Sequence, residues 1–282
     1  MHFFQILLLA VIQGFTELLP VSSSAHVIVA EKMMGIDPTS PEMTLLLVML
    51  HTGTMGSVLV FFGKDWKKTY FRDRKNTLSL LRLVFLSSLT TGLLGFGLKS
   101  LIENISLQGI PDASIEMIFG NLKLISLSLA TVGAVILIAA FREGHTSTKK
   151  TFGIPEAYWI GMFQGLCLPF RGFSRSGATI SAGLILGIDK KRSEDFSFAL
   201  ALVLTPPVVL REAHRLMKTH AFWGMGASDV LSLFLPSLLG MILSFGAGLL
   251  ALHLLSSWLE KGRWAWFGVY CLAFSGLVWF LA

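Results

Sequence analysis

Uninterrupted apolar runs occupy residues 43–62, 80–102, 119–141, 196–216, 231–257 and 264–281 of this 282-residue chain. Each approaches the roughly 20 residues a helix needs to cross a bilayer core, so the pattern predicts six transmembrane helices. Two further apolar regions, 1–35 and 156–188, are broken midway. The first breaks at Leu19-Pro20-Val21-Ser22-Ser23-Ser24, and the second at Leu168-Pro169-Phe170-Arg171-Gly172-Phe173-Ser174-Arg175-Ser176-Gly177. Broken backbone at membrane depth is tolerated only where protein or a wet cavity surrounds it. The flanking pieces, about 12–19 residues long, are short for spans, so re-entrant helical hairpins are expected.

The two broken regions are also alike. Gln13-Gly14, Pro20 and Ser22-Ser23-Ser24-Ala25 parallel Gln164-Gly165, Pro169 and Ser174-Arg175-Ser176-Gly177 at an offset of about 151, and Pro41-Glu42 parallels Ser193-Glu194 at 152. Interrupted helices at matching positions of two halves point to an inverted repeat with a site at its interface. The expectation is an all-α polytopic membrane protein forming a single domain over 1–282, with repeat halves 1–141 and 142–282.

Composition agrees: 53% of residues are hydrophobic and 14% charged, against roughly 25% charged in a soluble domain. The net charge of +6 comes without a basic stripe interleaved with aromatics, so no nucleic acid partner is expected. Cys167 and Cys271 sit in apolar stretches without metal or disulfide spacing. The N-terminus lacks a basic region and does not read as a removable signal peptide. With the loop near 64–82 placed in the cytoplasm, 15 of the 23 Lys and Arg fall inside. The two hairpins then enter from opposite faces and both termini lie outside.

The costly polar groups mark the chemistry. Gln13 and Glu17 are four apart and share a helix face. Glu17 would cost about 2.5–3.5 kcal/mol facing lipid at the bilayer centre, so it needs a cavity or a partner. Arg175, flanked by Ser174 and Ser176 and followed by Gly177 and Thr179, supplies that partner from the second hairpin. A guanidinium, hydroxyls and a helix N-terminus suit a phosphate oxyanion. Carboxylate, hydroxyls and imidazole (Glu17, Ser22, Ser23, Ser24, His26) suit hydrolysis. A phosphate-bearing lipid is the natural substrate. Blander readings stand beside these: a structural Glu17–Arg175 pair and a capping role for Ser22 and Ser24, while His51 reads equally as site periphery or helix packing. Arg171 could contact lipid phosphate or snorkel to headgroups.

At these residues the chain resembles the undecaprenyl-pyrophosphate phosphatase family, the bacitracin-resistance proteins. Gln13 to His26 resembles its (E/Q)xxxE-LPVSSS/T-x-H signature, and Gly172 to Thr179 its PGxSRSxxT signature, with Arg171 in place of the family proline. His51-Thr52-Gly53-Thr54 and Glu194-Asp195-Phe196-Ser197-Phe198 are similar to two further family stretches. The resemblance implies removal of the terminal phosphate of undecaprenyl pyrophosphate, which recycles the lipid carrier of cell-wall synthesis. It implies a divalent cation, Mg²⁺ or Ca²⁺, and a bacterial inner-membrane location with the site open to the periplasm. Gln13 and Glu17 would orient the base or the cation. Ser23 and His26 would be nucleophile and activator in either order. Arg175, with Ser22, Ser174, Ser176, Gly177 and Thr179, would hold the diphosphate. A homodimer is compatible with this reading. The rival reading is a transporter or flippase of a polyprenyl phosphate, since inverted repeats with broken helices are also transporter architecture.

Overall fold

The computed structural model describes residues 3–38, 40–106, 115–143, 152–218 and 227–282. Among them the first hairpin comprises α1 (Phe3–Leu18) and α2 (Ser23–Met33), followed by α3 (Pro41–Thr69) and α4 (Arg74–Ser106). A 3₁₀ turn at Ile115–Ile118 leads to α5 (Leu122–Glu143). The second hairpin is α6 (Ile154–Cys167) and α7 (Arg175–Ile185), and α8 (Lys190–Lys218), α9 (Ala227–Glu260) and α10 (Trp264–Phe280) follow. Local chemistry sets these bounds. Ser40 caps α3 ahead of Pro41, accepting from the Met43 N–H at 3.2 Å. The carboxylate of Asp73 accepts from the Asn76 N–H at 2.9 Å just ahead of α4. Gly35 and Gly187, at φ +63° and +81°, let the chain leave α2 and α7.

Among the described residues five helices, α3, α4, α5, α8 and α9, are long and apolar enough to span a membrane. The sixth expected span, α10, has 17 residues and reaches about 25 Å. That is about 5 Å less than a typical hydrocarbon core, so α10 is apolar but shorter than the sixth span expected from the sequence. Large apolar side chains face outward, including Phe85, Leu93 and Phe96 on α4 and Trp279 and Phe280 on α10. They are suited to lipid. Between helices the contacts are small and polar. Ser57 Oγ donates to the Phe245 carbonyl at 2.7 Å and Ser87 Oγ to that of Ala157 at 2.8 Å, while Ser126 and Ser275 each donate to the other's carbonyl at 2.8 Å. Without a hydrophobic drive between helices in lipid, such close approaches and hydrogen bonds hold the bundle together.

Both hairpins lie inside this frame. α1 packs on α3 and α9, and α6 on α4. Ser176 to Leu184 of α7 are all buried, and the tips join a core that includes Leu18, Val21, Phe62, Ile136, Phe198, Leu252 and Trp264. The interrupted backbone is therefore mostly covered by protein, with Leu168 and Arg171 of the second break left exposed. The basic segments gather at one end, where Lys191 pairs with Asp65 at 2.8 Å and Lys190 reaches the Glu260 carbonyl at 3.4 Å. Lys149 and Lys150, counted with that side, lie outside the described residues.

Candidate active site

Each hairpin tip is a serine-capped helix start. In the first, Ser22 takes φ +70°, rare for a side-chain-bearing residue, and its Oγ accepts from the Ala25 N–H at 3.4 Å. In the second, Ser174 Oγ accepts from the Gly177 N–H at 3.2 Å. The tips interlock through two hydrogen bonds. Ser24 Oγ accepts from the Gly172 N–H and Ser176 Oγ donates to the Leu19 carbonyl, both at 3.2 Å.

This lock brings four side chains onto Glu17. Ser23 Oγ donates to Glu17 Oε2 at 2.5 Å, a charge-assisted bond at the short limit, and Gln13 Nε2 donates to the same oxygen at 3.2 Å. From the second hairpin, Arg175 Nη2 donates to Glu17 Oε1 at 3.3 Å. His51 of α3 places Nε2 3.9 Å from Glu17 Oε2, while its Nδ1 donates to the Leu47 carbonyl at 2.8 Å. Arg175 Nη1 is buried with no hydrogen-bond partner among the described residues. A buried guanidinium donor without an acceptor is costly unless an anion completes it. It sits at the N-terminus of α7, where first-turn amides have no intrahelical carbonyl.

The other expected residues take supporting places. His26 does not bond Ser23 or Glu17: its Nδ1 donates to the Ser22 carbonyl and its Nε2 accepts from the Tyr270 hydroxyl, each at 2.7 Å. Its ring stacks on Phe274 at a centroid distance of 4.0 Å. It therefore fixes the Ser22 turn that aims Ser23. Thr179 Oγ1 donates to the Arg175 carbonyl at 2.9 Å and meets Ser197 Oγ at 2.6 Å, and the side chain is fully buried. The hydroxyls of Ser22, Ser174, Ser176 and Thr179 are thus bonded within the protein and shape the loops around Gly177. Tyr270 carried no local signal in the sequence; only the fold brings it to His26. His51, left open between site periphery and helix packing, stands at the site.

A cavity of about 500 Å³ borders this cluster at Gln13, Ser23 and His51, with Glu17 and Arg175 behind its lining. Gln13, Ser23, Ser24 and His51 line its inner part; Val27, Ile28, Leu47, Val48, Val208 and Val209 give it an apolar wall. Glu31, Lys32, Arg171 and Glu212 also line it. It borders the N-terminal part of α3 at Thr44, the end opposite the basic Lys67 and Lys68. For a divalent cation, no three His, Cys, Asp or Glu side chains converge among the described residues. The described residues thus offer no cage built from protein alone. One carboxylate, Glu17, beside a serine hydroxyl fits an ion that shares its coordination with substrate phosphates.

The fold is that of an all-α polytopic membrane protein, with a Glu17–Ser23–Arg175 cluster where its two hairpins meet. A match to the family described as "Bacitracin resistance protein BacA" covers residues 6–277. The chain is 52% identical over 283 residues to "Undecaprenyl-diphosphatase 2" of Acinetobacter baylyi, covering 100% of this chain and 99% of that one. It is 32% identical over 287 residues to "Undecaprenyl-diphosphatase" of Desulfosudis oleivorans, covering 95% and 94%. A third relative, the "Undecaprenyl-diphosphatase" of Desulfatibacillum aliphaticivorans, is 31% identical over 293 residues, at 96% and 95%. The chain belongs to the bacitracin resistance protein BacA family.

Proposed function

We propose that this protein hydrolyses undecaprenyl pyrophosphate to undecaprenyl phosphate and inorganic phosphate, so recycling the lipid carrier of cell-wall synthesis. The observation that carries the reading is Arg175, which holds Glu17 with one nitrogen and keeps a second buried donor unmatched beside the Ser23–Glu17 pair. The names of the relatives support the substrate. Transport of a polyprenyl phosphate is not favoured, because an anion carrier has no need of a hydroxyl held at 2.5 Å by a carboxylate.

Arg175 and the amides at the start of α7 bind the terminal phosphate. Glu17 takes the hydroxyl proton as Ser23 Oγ forms a bond to the terminal phosphorus. The bond from that phosphorus to the bridging oxygen breaks, and the lipid monophosphate leaves. Water then attacks the phosphoserine, phosphate departs and Ser23 regains its proton. His51 faces Glu17 and supports its charge, whereas His26 is a positioning residue for the Ser22 turn. A divalent cation would be held by Glu17 with Ser23 and the substrate, and when bound it would neutralise charge on the transferring phosphoryl group. The cavity end lies opposite the basic loops, and basic loops stay in the cytoplasm, so the site faces the periplasmic side of the inner membrane.

The test is phosphate release from a polyprenyl diphosphate by purified protein in detergent, where there is no membrane to cross. Wild type is expected to release phosphate. A protein that binds the lipid but releases none would contradict hydrolysis.

A further inference from the structure

Four charged residues line the cavity without a part in this mechanism, Glu31, Lys32, Arg171 and Glu212. Arg171 belongs to the second hairpin's loop, at the position where the family signature carries proline. Its neighbour Gly172 donates the N–H that locks onto Ser24, so the arginine's backbone stands beside the first hairpin's helix start. From there the side chain is exposed at the cavity, with its guanidinium carbon 4.7 Å from the Phe119 ring centroid. Along α2, Ser24, Val27, Ile28 and Glu31 form one stripe facing the same cavity. Glu31 is 5% exposed, interacts electrostatically with Arg171, and keeps Oε1 buried without a hydrogen-bond partner among the described residues.

Two geometric constraints place a diphosphate in this space. Its terminal phosphorus must reach Ser23 and Arg175, and its lipid tail must leave along the apolar wall of Val27, Ile28, Leu47 and Val48. The lipid-side phosphate then falls between them, beside Ser24 and the root of Arg171. Glu31 is eight residues beyond Ser23, about 12 Å along the helix, too far to share the reacting phosphate.

We propose that Arg171 is a second phosphate-binding guanidinium, which takes the lipid-side phosphate while Arg175 holds the terminal one. Glu31 and Phe119 park it against the cavity wall when no anion is there. The proposal rests on the hydrolase reading for the identity of the ligand. It makes Arg171 a residue of substrate binding and not of the chemical step, so its removal raises KM and leaves kcat near wild type. It also gives Glu31 the opposite sign, because that carboxylate competes with the phosphate for the arginine.

The experiment compares wild type, Arg171→Gln, Arg171→Lys and Glu31→Gln in detergent, with farnesyl diphosphate as substrate and thermal unfolding as a check on folding. Arg171→Gln is expected to raise KM about 10- to 100-fold, the loss of one charged hydrogen-bonding partner. Arg171→Lys should fall between it and wild type, and Glu31→Gln should match or lower the wild-type KM. Equal KM values in wild type and Arg171→Gln would overturn the proposal. So would a Glu31→Gln variant that loses affinity in step with Arg171→Gln, which marks a merely structural pair. Equilibrium binding of farnesyl diphosphate reads the same arm without turnover. Should wild type bind but not hydrolyse, the hydrolase reading fails, and weaker binding by Arg171→Gln still supports the second clamp.

Discussion

Aligned on their capping serines, Ser22-Ser23-Ser24 of the first hairpin stand against Ser174-Arg175-Ser176 of the second. The outer positions do matching work. Ser22 and Ser174 cap their helices, and Ser24 and Ser176 each bond the other hairpin's turn. The middle position differs, with a hydroxyl in one hairpin and a guanidinium in the other. The preceding helices diverge as well. Gln13 donates to Glu17, but Gln164 is fully buried, donates to Thr91 at 3.0 Å, and is followed four residues later by Leu168. One frame is used twice, and its chemistry is divided. In the proposed mechanism the first hairpin carries the hydroxyl to be activated and the carboxylate base that activates it; the second carries the clamp.

This division predicts unequal responses at matched positions. The largest effects belong to the two charges. Glu17→Ala and Arg175→Ala should each lower kcat/KM for a polyprenyl diphosphate at least about 100-fold, as when a preorganised electrostatic group is lost. Gln164→Ala, the counterpart of Gln13, should show its main effect in thermal unfolding, because it removes a buried hydrogen bond to Thr91 and empties a fully buried position. A loss of turnover from Gln164→Ala equal to that of Arg175→Ala would erase the asymmetry.

A smaller effect is expected at His26, which holds the Ser22 carbonyl. His26→Phe should lower kcat about 10- to 100-fold through misplacement of Ser23 with little change in KM, and His26→Gln, which keeps a donor, should recover part of it. Identical losses in both variants would argue that the imidazole itself takes part in proton transfer.

The smallest effects test the shared frame. Ser24→Ala and Ser176→Ala each remove one of the two interlocking bonds and should cost a similar amount, about 1 kcal/mol of stability. Unequal costs in thermal unfolding would show that the two locks are not equivalent.

Much of this was legible in the chain because membrane depth penalises polarity. Pro20 and Pro169 break apolar runs, and Glu17 and Arg175 stand out where charge is expensive. Helix ends were less legible. α3 runs to Thr69 although its apolar run ends near 62, because the helix continues past the hydrocarbon as Lys67 and Lys68 reach solvent. The choice between imidazoles was illegible too. His26 lies three residues from Ser23 and looks like its partner, yet the turn of α2 commits both its nitrogens elsewhere. His51, 34 residues from Glu17, meets the acid only because α3 packs beside α1. The Tyr270–His26 bond and the electrostatic approach of Arg171 to Glu31 likewise join distant segments.

The division of labour is tested most directly by quenching the protein in acid during turnover of a polyprenyl diphosphate and locating any covalent phosphate by mass spectrometry. The account predicts phosphate on Ser23 in wild type and none in Ser23→Ala or Arg175→Ala. Phosphate on His26 instead, or undiminished turnover in Ser23→Ala with no covalent phosphate, would contradict it.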